Sequence, residues 1–105
     1  MKIYALTYTR AAAEKAAETY EEEGYDVTLI HGGQGPAWRA RYVQTFRKHR
    51  HDQAVLVATI DAVQMPIDVG LVDIITVLEK HPDEVAQRQA MDRARTHASA
   101  TGEPN

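Results

Sequence analysis

The chain has 105 residues, 44% of them hydrophobic and 26% charged, with a formal net charge of −3 and no cysteine. That suffices for one domain with one modest core. It excludes disulfides, a thiol nucleophile and zinc–thiolate sites, and it leaves no global positive field, so any nucleic-acid contact must come from a local patch.

Ile3 to Tyr8 is a short apolar run of β-formers and reads as a strand. Thr9 is a suitable N-cap for the helix that follows from Ala11 to Glu23. Ala12, Ala13, Ala16, Ala17 and Tyr20 fall on one face of that helix, and small residues there imply close packing on a sheet. Gly24 is its expected stop. Tyr25 to Ile30 reads as a second strand, leading into the turn His31-Gly32-Gly33. Pro36 suits the first turn of a second helix. Trp38, Tyr42 and Phe46 recur along it at i, i+4 and i+8 and are expected in the core, a stacking role being the rival reading. Arg39, Arg41, Arg47, Lys48, His49, Arg50 and His51 form one basic segment, either a phosphate surface or ordinary surface charge.

Ala54 to Thr59 is too apolar for the surface and reads as a buried third strand that ends in an exposed threonine. Ile60 to Met65 is a short helix or a loop, broken by Pro66. Val72 to Leu78 is the fourth strand. Pro82, Asp83 and Glu84 open the last helix, with acid where the helix dipole favours it. Gln89 and Arg93 stand one turn apart on it. Residues 99–105 are small and polar, a frayed tail. Strands alternating with helices argue for an α/β fold, a parallel sheet of about four strands with helices on both faces. Right-handed crossovers then gather Thr7 to Thr9, His31 to Gly33, Thr59 to Asp68 and the loop after Leu78 on one edge, where such sheets bind ligands.

The five histidines show no metal-ligand spacing, so no metal site is expected. His31 reads as a turn histidine bonded to backbone. No apolar run approaches the roughly 20 residues of a membrane span, and no signal-peptide pattern opens the chain. A cytoplasmic or nucleoid-associated protein without a membrane role is expected.

Several segments, in order, resemble the C-terminal RecA-like domain of superfamily 2 helicases and translocases. Ile3 to Thr9 with its alanine-rich helix is similar to motif IV. His31-Gly32-Gly33 followed by Arg39 and Phe46-Arg47 is similar to the family's His-Gly turn and arginine helix. Val55 to Thr59 with Pro66-Ile67-Asp68 is similar to motif V, and Gln89 to Arg95 to motif VI in its Swi/Snf form. The resemblance spans residues 1–98 and implies a single RecA-like domain with strand order 2-3-1-4. It further implies that Thr7, His31, Gly32, Arg39, Arg47 and Thr59 contact DNA or RNA. Asp68 would hold the nucleotide ribose. Gln89 and Arg93 would act on ATP phosphates across a cleft shared with a separate ATP-binding RecA-like domain, ATP and Mg being possible only there.

Two positions depart from the family pattern. Pro66 stands where motif V has glycine, and Thr96 where motif VI has a second arginine. Arg95, the neighbouring arginine, is turned about 100° from Thr96 on a helix. No Gly-x-x-x-x-Gly-Lys-Ser/Thr loop occurs, so the chain alone is expected to bind no cofactor and to hydrolyse no ATP. The reading that follows is a helicase half working with a partner. The alternative is a degenerate helicase-like module that docks on another protein as a regulator.

Overall fold

The computed structural model describes residues 1–48, 53–63, 67–79 and 83–100. His49, Arg50 and His51 of the basic segment, Pro66, the helix-opening Pro82 and residues 101–105 of the expected tail lie outside the described residues. Strand β1 (Lys2–Thr7), helix α1 (Arg10–Glu22), β2 (Asp26–Ile30), α2 (Pro36–Lys48) and β3 (Ala54–Thr59) follow in turn. A 3-10 turn (Ile60–Val63), β4 (Gly70–Val72), β5 (Ile74–Val77), α3 (Glu84–His97) and β6 (Ala98–Ala100) follow among the described residues.

The main sheet is parallel throughout, in the order β2-β3-β1-β5. All six residues of β3 are buried, as a central strand covered on both faces requires. Alternate residues of the strands feed two cores. Ile3, Ala5, Val55 and Val57 meet Ala13 of α1. Tyr4, Leu6, Leu56 and Ala58 face the opposite way, against Val43 and Phe46 of α2 and Ala94 of α3. One helix on one face and two on the other is the arrangement expected of an α/β domain. The α1 cap forms as the sequence implies, with the Thr9 hydroxyl accepting from Ala12 N at 3.1 Å.

The expected fourth strand is in fact two. It breaks at Asp73, whose N–H donates to Lys2 O (2.8 Å) while its carboxylate accepts from Lys2 N (2.7 Å). These two bonds use up the start of β1, so β5 pairs with β1 only from Ile74 onward. Gly70, at φ +86°, turns the preceding segment away. That segment, β4, then pairs in parallel with β6 in a separate two-stranded sheet. Ser99 and Ala100, expected in the frayed tail, are therefore strand residues.

Helix direction decides which side chains reach which edge. Helices α2 and α3 leave the carboxyl edge of the sheet and run back to the amino edge. Lys2, which opens β1, donates from Nζ to Arg47 O at 3.4 Å and lies 4.6 Å above the Phe46 ring. Burial and the nearby Arg47 charge lower the Lys2 pKa, while Asp73 opposes them. At the end of α3, His97 O accepts from Val69 N (2.7 Å), and its Nδ1 shares a buried hydrogen bond with the Tyr4 hydroxyl (3.1 Å).

Candidate nucleotide and nucleic-acid edge

Thr7 and Thr59 end β1 and β3 side by side in register at the carboxyl edge. Both are buried, so the expectation of an exposed threonine closing β3 is corrected. The Thr7 hydroxyl donates to Thr9 O at 3.1 Å, and the Thr59 hydroxyl donates to the Asp61 carboxylate. The 3-10 turn that starts directly after Thr59 brings Asp61 back over the strand end. Each hydroxyl proton is thus committed inside the fold.

Asp61 was not singled out by the sequence, yet it joins two loops. Its carboxylate also lies against Gly32, where an added Cβ would collide with it. A side chain at position 32 would therefore have to push the Asp61 carboxylate aside. The neighbouring His31 accepts from Gly33 N through Nδ1 at 3.0 Å, the backbone-bonded turn expected of it, which places the ring proton on Nε2. Gln34 closes the same turn, accepting from His31 N (3.2 Å) and donating to Leu29 O (3.2 Å). Arg10, half of an exposed ion pair with Glu14 (3.0 Å), reaches this turn beside Gly33. Arg39, half-buried, starts the second turn of α2 just beyond.

Gln89 and Arg93 share a cleft of about 180 Å³ with Tyr8, Ile60, Ala86 and Ala90. Tyr8 follows β1 and Ile60 follows β3, so this cleft opens at the carboxyl edge. The Tyr8 N–H donates to Glu79 Oε1 (2.8 Å) and its hydroxyl to Gln87 Oε1 (2.7 Å). Burial, and then the Glu79 charge, raise its pKa. Among the described residues Arg93 makes no ion pair. Thr96, on the same face, donates back to Arg93 O at 2.7 Å.

Arg47 and Asp68 do not join these groups. Arg47 sits at the amino edge, a full strand length from Thr59. There it pairs with Asp68 at 3.3 Å, and Asp68 also accepts from Gly70 N at 3.1 Å. The residue expected on nucleic acid and the residue expected on ribose thus bind each other. No group of acids and histidines suited to a metal ion occurs among the described residues. Within the same residues no helix is long and apolar enough to cross a membrane.

A four-stranded parallel sheet in this order, with the turns after β1, β2 and β3 gathered at its carboxyl edge, is the sheet of a RecA-like domain. The model of the helicase conserved C-terminal domain matches residues 1–97, and the chain belongs to that family. No curated protein matches it in sequence. In structure it is similar to the C-terminal part of the Fun30 ATPase domain, with a TM-score of 0.74 at 14% identity. The likeness covers 99% of this chain and 32% of that one, so the chain spans about a third of its structural relative. At that identity the likeness speaks for the fold.

Proposed function

We propose that the chain is the nucleic-acid-contacting half of a two-domain motor, forming one wall of an ATP cleft whose other wall is a separate ATP-binding domain. The observation that carries this reading is the cleft that Gln89 and Arg93 share with Tyr8 and Ile60 at the carboxyl edge. A guanidinium one turn from an amide offers several donors to phosphate oxygens. ATP entering the shared cleft would meet Arg93, whose charge would oppose the negative charge that develops as phosphate is transferred. The phosphate loop and the magnesium ligands would come from the partner, since this sequence has no Gly-x-x-x-x-Gly-Lys-Ser/Thr loop. Arg10 and Arg39, beside the His31–Gly33 turn, offer the phosphate contacts. Thr7 and Thr59 shape that edge from beneath, through Thr9 and Asp61.

The test is a titration of the purified protein with labelled single- and double-stranded DNA and RNA at about 50 and 200 mM salt. Binding that weakens steeply with salt is expected, because counterions are released from the phosphates. Absence of binding to every one of these ligands would overturn the reading.

Thr96, standing where the family has its second arginine, favours a second reading, a regulator docked on another protein. Thr96→Arg separates the two. It raises ATPase of the chain with its ATP-binding partner if the cleft is a working one, and leaves the rate unchanged if the chain only docks.

A further inference from the structure

The outer face of α2 is basic and aromatic. In a chain of net charge −3, this helix of 13 residues contains two arginines in its first half, an arginine and a lysine at its end, and no acid. Its core side is set by Val43 and Phe46. Trp38, Arg41, Thr45 and Lys48 follow one another at i, i+3, i+7 and i+10 along the opposite side. Trp38 is 55% exposed and Tyr42, one turn on, 36%. Their rings are tilted by 30° with centroids 6.3 Å apart, two flat faces set along the helix. The Arg41 guanidinium lies 5.5 Å from the Trp38 ring centre. Arg41 and Lys48 have no ion-pair partner among the described residues, whereas Arg47 is neutralised by Asp68.

Scattered exposed apolar side chains are ordinary. Two adjacent aromatic rings with a guanidinium that makes no ion pair beside them are a different matter. Aromatic faces take flat bases by stacking, and nearby cations take the backbone that carries them. The acid-free helix selects a polyanion over an apolar or cationic partner. Trp38 lies in the first turn of α2, immediately beyond the His31–Gly35 turn, so a strand crossing the carboxyl edge reaches it without a gap. Duplex bases are stacked on one another and cannot offer their faces; unpaired bases can.

We infer that Trp38 and Tyr42, with Arg41 beside them, form a stacking platform for the unpaired bases of a single-stranded nucleic acid. This rests on the nucleic-acid reading of the domain and adds the class of strand it prefers. Phosphate contacts at the carboxyl edge do not distinguish one strand from two, whereas the platform does.

Trp38 is the only tryptophan in the chain, so its fluorescence reports on this site alone. The experiment titrates the protein with oligo-dT, oligo-U and a DNA duplex of about 15 nucleotides, a length in the range of single-strand site sizes. Binding is read by anisotropy of a label on the oligonucleotide, and stacking by Trp38 emission. The expected result is quenching by the single strands and little by the duplex. Trp38→Ala weakens single-strand binding by about tenfold and duplex binding far less, and Trp38→Phe restores much of the loss. Stronger quenching by oligo-dT or by oligo-U tells which nucleic acid the platform prefers, and either supports it. Single-strand binding by anisotropy with unchanged Trp38 emission overturns the platform and leaves the phosphate edge standing. Quenching that follows protein concentration without oligonucleotide assigns the face to a second copy and overturns it as well. No binding to any of the three removes the platform together with the domain reading on which it rests.

Discussion

The two edges of the sheet each hold an arginine that stands out in the sequence, and they treat it in opposite ways. At the carboxyl edge Arg93 lines a cleft and makes no ion pair among the described residues. At the amino edge Arg47 is held by Asp68. The difference comes from helix position. Arg93 lies partway along α3, where Tyr8 and Ile60 project from the carboxyl ends of their strands. Arg47 lies in the last turn of α2, after that helix has crossed the whole sheet. A basic residue near a motif in sequence can therefore be a strand length away from it in space.

The largest test of this contrast is Arg93→Ala in the presence of the ATP-binding partner. A loss of about 10³-fold in ATPase rate, roughly 4 kcal/mol of activation free energy, is expected for a cation at the transferred phosphate. A rate within a few-fold of wild type would erase the distinction between the two arginines.

Next comes the support of the carboxyl edge. Thr59→Val removes the donor to Asp61 and is expected to cost about 1.5 kcal/mol in urea unfolding, typical of a bond to a charged acceptor. Asp61→Asn keeps an acceptor and should cost less. Additivity of the two changes in the double variant would show that they do not interact.

His97 sharpens the amino edge by pH. Burial, and then the Arg93 charge, lower its pKa from the ordinary 6.5. Well above that value the ring is neutral in both folded and unfolded chains and has no effect. As pH falls through it, the unfolded chain takes up a proton that the folded chain refuses, so stability declines until the folded ring titrates too. His97→Gln should flatten this part of the stability profile below about pH 6.5. A profile identical to wild type would mean that His97 does not contribute to it.

The smallest effect is expected from Arg47→Ala. An exposed pair of this kind contributes about 0–1 kcal/mol, and removing it should leave the affinity for nucleic acid within about twofold at moderate salt, where charges beyond roughly 10 Å are screened. A large loss of binding would return Arg47 to the interface.

Much of the fold is legible in the sequence because its signals are local. The alanine face of α1, the Thr9 cap and the unbroken apolar run of β3 each specify their element without help from distant residues. The break at Asp73 is not legible, because its cause is a pair of bonds to Lys2 at the other end of the chain. In the site, the one-turn spacing of Gln89 and Arg93 puts them together, and the structure does so. Asp61 is invisible to such reasoning, since its partners are a hydroxyl on the preceding strand and a bare Cα in another loop. The outward Trp38 has a geometric cause. Eight positions on a helix advance by about 800°, which leaves Trp38 some 80° from Phe46. The two cannot share the narrow stripe that Val43 and Phe46 bury.

The central place of β3 has a kinetic consequence. It is third in the chain but lies between β1 and β2, with Lys2 opposite Ala54 and Asp26 opposite that same residue. Strands β1 and β2 are not neighbours, so neither has a sheet partner until β3 arrives. Closure over such separations is slow, and the waiting strands expose unpaired edges. A polypeptide ending before Ala54 has both outer positions of this trio and nothing to join them, so a nascent chain gains its sheet only after β3 has been made.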